Sequence, residues 1–181
     1  PVGIERQIQE INRETRDQLR KLIAKMSPTT FEELIGKLLI ELGFDEETVE
    51  VTGRSGDGGV DVIGVMDIEG VTRIDAAVQV KRVKSSISPD KIRSLRGSLL
   101  PNQRGIFITT SSFTSQAIQE AKASGKSPIS LVNGDELLDL LFKYNIGVLD
   151  QQHIVYKIDG TYWSEAPSTI APIVSPSANK V

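Results

Sequence analysis

Residues 60–83 read VDVIGVMDIEGVTRIDAAVQVKRV, and this pattern predicts a β-hairpin. Apolar and β-branched residues fill both arms, and a turn-like segment around Gly70 separates them. A hairpin centred on Gly70 pairs position 61 with position 79, because both lie nine residues from the centre. Side chains alternate between the two faces of a strand. Asp61 and Gln79 are therefore expected on one face, with Lys81 diagonal to them.

The shared face of the predicted hairpin carries side chains that suit phosphodiester hydrolysis. The Asp61 carboxylate and the Gln79 amide oxygen are ligands that divalent cations prefer, and the Val80 carbonyl adds another. A cation bound there lowers the pKa of a water molecule and stabilises charge on a phosphate. The Lys81 ammonium orients that water or neutralises the developing charge. The structural alternative is a salt bridge between Asp61 and Lys81.

The expected cation follows from the residues that the sequence lacks. There are no cysteines and His153 is the one histidine, so neither a thiolate site nor a multi-histidine site can form. Mg²⁺ is therefore the expected cofactor, with Mn²⁺ as the alternative. A neutral Gln79 binds metal more weakly than a carboxylate does. Glu32 or Glu33, on the preceding helix, is expected to assist.

Hydrophobic periodicity on both sides of the hairpin predicts helices that alternate with short strands. The best-marked helix has Ser27 as its N-cap and Pro28 at its first position, and it ends at Gly43. Other helices are predicted over residues 3–26, from Ser88 onward, from Thr114 to Gly125 and from Asp135 to Tyr144, with further strands over residues 49–52, 105–110 and 128–132. This order predicts an α/β fold, a mixed central β-sheet flanked by helices.

The basic residues of the chain are concentrated in one segment, although the net charge is −3. Residues 81–104 contain seven basic residues and one acidic residue, a local charge of +6. Those expected to contact phosphates are Arg82, Lys84, Lys91, Arg93 and Arg96. A strip of this kind binds a nucleic-acid backbone without reading bases. The alternative is a solvated charged face.

Composition and pattern divide the chain into four predicted parts. Residues 1–26 form an N-terminal helix, a candidate dimerisation element, and residues 27–148 form a catalytic domain. Residues 149–164 are expected to form a hairpin around Asp159-Gly160, and residues 165–181 a flexible tail or linker. No apolar run reaches the length of a membrane span and no signal peptide opens the chain. A cytoplasmic protein without membrane partners is therefore expected.

Several motifs occur in a fixed order between residues 27 and 142. They are Phe31-Glu32, GDGGVDVIG (residues 56–64), Gln79-Val80-Lys81-Arg82, GIFITT (residues 105–110) and Phe113-Thr114. The combination resembles the Mrr-like restriction endonuclease family, a branch of the PD-(D/E)xK nuclease superfamily. Val80 stands where that family frequently has cysteine, and no separate DNA-recognition domain is evident.

The resemblance implies roles for individual residues. Asp61 corresponds to the family's metal-binding aspartate, Gln79 to the glutamine that replaces glutamate in the (D/E)xK motif, and Lys81 to its lysine. Glu32 corresponds to the helical glutamate that follows phenylalanine. These correspondences imply a restriction-endonuclease-like core and a metal-dependent endonuclease of restriction type that hydrolyses DNA.

Two other functions are compatible with the same residues. A junction resolvase or repair nuclease can share the fold and the metal site. A DNA-binding or partner-binding module without catalysis is the alternative from another class, and the intact Asp61, Gln79 and Lys81 argue against it.

A heptad seam on the first predicted helix bears on assembly. Its members are Ile4, Ile8, Ile11, Thr15, Gln18 and Leu22. The seam predicts either a coiled-coil contact between two copies or packing on the helix's own domain, and the polar members weaken the first. A homodimer or larger homo-oligomer is expected, because two sites related by symmetry can cut both strands of a DNA duplex.

Overall fold

The computed structural model describes residues 2–52, 59–152, 154 and 156–165. It divides the chain into two units, residues 1–149 and residues 150–181. In the first unit the helices are α1 (Val2–Lys25), α2 (Pro28–Glu41), α3 (Pro89–Ser98), α4 (Ser115–Ala121) and α5 (Gly134–Lys143). The strands are β1 (Glu50–Val51), β2 (Val62–Ile68), β3 (Thr72–Lys81), β4 (Gln103–Thr109) and β5 (Ile129–Val132), and a 3-10 helix, Glu46–Thr48, precedes β1.

The five strands form one sheet in the order β1-β2-β3-β4-β5. The β1–β2 and β2–β3 pairs are antiparallel, whereas the β3–β4 and β4–β5 pairs are parallel, with α3 and α4 as the connections. Residues of α1, α2 and α5 share one hydrophobic cluster with the sheet, and residues of α3 and α4 share another. The predicted α/β fold with a mixed, helix-flanked sheet is therefore confirmed.

The β2–β3 hairpin has the predicted register. Val62 pairs with Val78 and Ile68 with Thr72, so position 61 lies opposite position 79. The turn is made by Glu69 and Gly70, which both adopt positive φ angles, of 52° and 70°. β2 begins at Val62 rather than at Val60, so Asp61 immediately precedes the strand.

Helix α1 packs on its own domain, but not through the predicted seam. Leu19 and Ile23 are buried in the core, and Arg16 Nη1 lies 2.5 Å from Asp139 Oδ1 on α5. The seam residues Ile4, Ile8, Ile11 and Leu22 remain 45–61% exposed. Two stripes therefore coexist on α1, one packed and one open.

The second unit corrects the predicted C-terminal hairpin. In the described residues from 150 to 165 there is no strand, and Gly160–Glu165 is a short helix, α6. Asp159 Oδ1 accepts a hydrogen bond from Thr161 N at 3.0 Å, the type of bond that starts a helix. Asp-Gly suits a hairpin turn and a helix start alike, which explains the error. His153 and the predicted tail from residue 166 onward lie outside the described residues.

None of the helices in the described part of the chain combines the length and the apolar character that crossing a bilayer requires.

Candidate active site

A cleft of about 210 Å³ opens where α2 meets the ends of β2 and β3. Its lining consists of Pro28, Phe31, Glu32, Asp61, Val80, Lys81, Arg82 and Val83. Asp61 immediately precedes β2 and Lys81 ends β3, and antiparallel pairing brings these two positions to the same edge of the sheet. Three predicted functional side chains, those of Asp61, Lys81 and Glu32, therefore converge in one cleft.

The Asp61 carboxylate is held in a defined orientation. Asp61 N donates to Val78 O, and Asp61 Oδ2 accepts from Val80 N, both at 2.8 Å. Thr52 N donates to Asp61 O at 2.9 Å and holds the segment from the other side. Burial raises the pKa of Asp61, while the Val80 amide and the Lys81 charge oppose that rise.

Glu32 is the second carboxylate of the cleft. It is 9% exposed, next to the buried Phe31 on α2, whereas Glu33 is exposed. The structure thus places Glu32, and not Glu33, at the site. Burial raises the pKa of Glu32, the negative charge of Asp61 raises it further, and Lys81 lowers it. Two carboxylates that repel each other in a partly dry cleft favour binding of a cation.

Gln79 does not line the cleft. It lies on β3 next to the lining residue Val80, and it is buried, 1% exposed, opposite Phe107 on β4. Among the described residues, nothing donates a hydrogen bond to its Oε1 atom. A buried amide oxygen without a partner costs free energy unless something else satisfies it. A divalent cation is one ligand that would do so.

The donor set fits a hard cation but is sparse. In the described residues, no three carboxylate, histidine or cysteine side chains cluster as a metal site. The candidate ligands are instead two carboxylates, Asp61 and Glu32, and the neutral oxygens of Gln79 and Val80. Oxygen donors of this kind suit Mg²⁺ or Mn²⁺ rather than a softer metal.

Lys81 does not form the salt bridge that the structural alternative required. No carboxylate oxygen of a described residue lies within ion-pair distance of its ammonium group. Its positive charge nevertheless lowers the pKa of both Asp61 and Glu32. Lys81 is half-buried and lines the cleft, so its charge is close enough to act on a ligand bound there.

Some side chains of the predicted basic strip bond other parts of the protein, and others are exposed to solvent. Arg82 Nη1 donates to Ala24 O at the end of α1, at 2.7 Å. Arg96, whose side chain is 13% exposed, and Arg93 both pair with Glu120 on α4. Lys84 is exposed, and Lys91 is 3.9 Å from its neighbour Asp90.

The residues at the end of β4 have a role that the sequence pattern did not predict. That pattern places Thr109 and Thr110 only in a central strand. In the structure their hydroxyl groups bond the backbone of Lys81 and Val83. The available signal was the run of four hydroxyl residues from Thr109 to Ser112 directly after an apolar strand.

Comparison with known proteins finds a matching family model and two relatives of this sequence. A family model, Mrr_cat, described as "Restriction endonuclease", matches residues 23–141. The type IV methyl-directed restriction enzyme EcoKMrr of Escherichia coli (strain K12) is 29% identical over 164 residues, which are 88% of this chain and 53% of that protein. An uncharacterized mitochondrial protein of Schizosaccharomyces pombe is 34% identical over 110 residues, which are 57% of this chain and 42% of that protein. The chain thus spans about half the length of the curated relatives it matches.

Solved structures with the same fold are also restriction endonucleases. The DNA modification-dependent restriction endonuclease AspBHI has a TM-score of 0.61 at 24% identity, covering 74% of this chain and 36% of that chain. The MspJI restriction endonuclease, solved with a 27-mer oligonucleotide, has a TM-score of 0.57 at 26% identity, covering 71% and 30%. The restriction-endonuclease-like core is therefore confirmed.

Proposed function

The chain belongs to the Mrr-like restriction endonuclease family, and we propose that its cleft hydrolyses DNA phosphodiester bonds as a metal-dependent endonuclease of restriction type. The observation that carries the proposal is the convergence of Asp61, Glu32 and Lys81 in one cleft at the edge of the sheet. The carboxylates there are incompletely compensated, and the lysine has no close carboxylate partner among the described residues.

The proposed cofactor is Mg²⁺, with Mn²⁺ as the alternative. Asp61, Gln79 and the Val80 carbonyl would be its ligands, and Glu32 would assist directly or through water. When bound, the cation supplies Lewis acidity toward water and the phosphate. Support comes from the repulsion between two desolvated carboxylates and from the Gln79 oxygen, to which no described residue donates a hydrogen bond.

The side chains have separable tasks in this reaction. The Val80 amide fixes the Asp61 carboxylate, so the carboxylate does not have to reorganise when a ligand arrives. The Lys81 ammonium orients the attacking water or neutralises charge that develops on the phosphate. Phe31 and the buried face of α2 exclude water from the inner side of the cleft.

DNA is the proposed partner, and Lys84 and Lys91 are the strongest candidates for contacts with its phosphates. Lys84 directly follows Val83, which lines the cleft. Arg82 and Arg93 remain candidates for phosphate contacts, because each guanidinium has N–H groups beyond the Nη1 donor that its present hydrogen bond uses. Arg96 has a structural role instead, because its guanidinium is occupied by Glu120 and the Ser127 carbonyl.

The proposed assembly is a homodimer or larger homo-oligomer through the open stripe of α1. Ile8 is 50% exposed in the centre of that stripe. Light scattering should report an oligomer for the wild type and a monomer for Ile8→Glu. The matched control Gln9→Glu adds the same charge beside the stripe and should leave the oligomer intact. A wild type that is monomeric at all concentrations contradicts the dimer.

Nicking of supercoiled plasmid tests the proposed activity. The wild type should nick with Mg²⁺ or Mn²⁺ and stop with a chelator, and Asp61→Ala should be inactive while circular dichroism shows it folded. Plasmids with and without methylation are compared, because two of the similar proteins are named for methyl-directed or modification-dependent restriction. Linear and branched duplexes in the same assay separate a restriction-type nuclease from a junction resolvase. If Asp61→Ala cuts at the wild-type rate, the site is wrongly assigned.

A further inference from the structure

Four consecutive hydroxyl residues at the end of β4 bond the chain segment that follows β3. Thr109 Oγ1 donates to Lys81 O at 2.9 Å, and Thr110 Oγ1 donates to Val83 O at 3.0 Å and accepts from Val83 N at 3.1 Å. Ser111 Oγ donates to Lys84 O at 3.0 Å, and the hydroxyls of Ser112 and Ser86 lie 2.7 Å apart. We name Thr109, Thr110, Ser111 and Ser112 the hydroxyl ladder.

The hydroxyl ladder begins where backbone pairing between the parallel strands ends. The last paired positions of β3 and β4 are Lys81 and Thr109. Beyond them one backbone bond from Thr110 N to Lys81 O remains, and backbone pairing resumes only around the bridge between Ile87 and Phe113. A stretch with so few bonds frays. The ladder replaces the missing backbone bonds with side-chain bonds, so the attachment continues past the proposed catalytic lysine.

Thr109 is the member that touches Lys81 directly. It is completely buried, and its hydroxyl donates to Lys81 O while accepting from Ser111 N at 3.2 Å. The same carbonyl accepts a weaker bond from Thr110 N at 3.2 Å. Valine at position 109 would keep the shape of the side chain but leave both hydroxyl partners with one bond fewer.

The residue after Lys81 is bonded to α1 through its side chain. The Arg82 guanidinium donates to Ala24 O at 2.7 Å. The backbone at Lys81 is thus held by the residues that end β4, and α1 contacts only the neighbouring side chain. A lysine side chain with four rotatable carbons keeps its ammonium in one place only when its backbone is fixed.

We infer that Thr109 is a positioning residue of the proposed hydrolysis: its hydroxyl fixes the Lys81 backbone and so places the ammonium in the cleft. The inference rests on the proposed function. It assigns no contact with DNA or metal to Thr109. A positioning role predicts a loss in turnover with unchanged substrate binding, because Lys81 is needed in the transition state rather than for affinity.

The test compares Thr109→Val with Thr109→Ser in steady-state cleavage by the full chain. Thr109→Val should lower kcat about tenfold or more with KM unchanged. Thr109→Ser keeps the hydroxyl and should stay within about twofold of the wild type. Thr48→Val is the matched control, because the Thr48 hydroxyl bonds Asp45 O and accepts from Val65 N away from the cleft. Equal kcat losses in Thr109→Val and Thr48→Val overturn the inference, as does an unchanged kcat in Thr109→Val.

Amide hydrogen exchange gives a readout that does not depend on activity. Thr109→Val should accelerate exchange at the amides of residues 82–84 and leave the β2–β3 hairpin protected. If Thr109→Val does not fold, Thr110→Val replaces it, since Thr110 is only half-buried and bonds Val83 twice. Unchanged exchange in the folded variant overturns the positioning role. An inactive wild type with accelerated exchange in the variant overturns the proposed function alone.

Discussion

Two clusters of charge in this fold have opposite composition. Around Glu120 on α4, one carboxylate is surrounded by three cations: Arg96 at 2.5 Å, Lys126 at 3.1 Å and Arg93 at 3.2 Å. Hydrogen bonds from Lys126, Arg96 and Arg93 lower the pKa of Glu120 to about 2. In the cleft, Asp61 and Glu32 occur together with Lys81, which forms no ion pair with a described carboxylate, and burial raises the pKa of both carboxyls.

The charges around Glu120 stabilise the fold, whereas the charges in the cleft are suited to binding a ligand. Glu120 is satisfied by the protein itself and joins α3 to α4. The carboxylates of the cleft are penalised by burial, and the charge of Asp61 also penalises Glu32; the Val80 amide and Lys81 offset this only in part. Perturbed carboxyls gathered in a cleft are typical of functional sites, whereas fully paired ones are typical of structural networks.

A neutral isostere in the cleft should impair activity but not stability, whereas one in the Glu120 cluster should impair stability but not activity. Asp61→Asn should lower plasmid nicking at least about a hundredfold and leave the melting temperature equal or higher, because a buried charge is removed. Glu120→Gln should keep the nicking rate within about twofold and lower the melting temperature. Calorimetry and initial rates on both variants check this. A Glu120→Gln variant as inactive as Asp61→Asn would erase the distinction.

A divalent cation should stabilise only proteins with an intact cleft. At a Mg²⁺ concentration of about 100 times Kd, the free energy of unfolding should rise by about 2.7 kcal/mol. Glu120→Gln should keep this gain, and Asp61→Asn should lose it. Thermal melts with Mg²⁺, with Mn²⁺ and with a chelator measure the effect. Equal gains in all three proteins would place the cation elsewhere.

Neighbouring glutamates on α2 offer a sharper contrast within the cleft itself. Glu32→Gln should lower kcat about tenfold or more, because Glu32 lines the cleft. Glu33→Gln makes the same change one position away on an exposed side chain and should leave kcat unchanged. Cleavage rates measured with saturating metal compare the pair. Identical rates would remove Glu32 from the machinery.

The stability supplied by Glu120 should depend on pH with a defined sign. Its pKa is lowered from 4.5 to about 2 on folding, so the native state binds the proton less readily than the unfolded chain. The stability difference between wild type and Glu120→Gln should therefore be complete above about pH 5 and fade as the pH falls toward 2. Denaturant titrations across this range measure it. A difference that stays constant down to pH 2 contradicts the ion-pair origin.

The smallest effects are expected on the basic segment. Lys84→Gln should weaken DNA binding for all sequences alike and reduce the slope of log K against log salt by about 0.9. Arg96→Gln should lower thermal stability and leave that slope unchanged, since Arg96 is bound to Glu120. Binding titrations at several salt concentrations separate the two. An equal change in slope would mean that Arg96 also reaches phosphate.

Local pattern alone determined the hairpin and the positions of Asp61 and Lys81. Alternation with period two and a turn at Gly70 allow few other registers, because a slip by one residue would turn every side chain to the wrong face. The cap of α2 was equally local, since Ser27 Oγ accepts from Thr30 N within the same turn. The order of helices and strands in the first unit followed from the same short-range signals.

Tertiary structure decided which of several equivalent residues acts. Glu32 and Glu33 differ by about 100° around α2, and only the packing of that helix on the sheet shows which one enters the cleft. Leu19 and Ile23 lie beside the heptad seam, and contact with α5 selected their stripe of α1 instead. The Arg96–Glu120 pair and the Thr109–Lys81 bond join residues 24 and 28 positions apart. No short-range pattern specifies such partners, because the fold must first bring the two segments together.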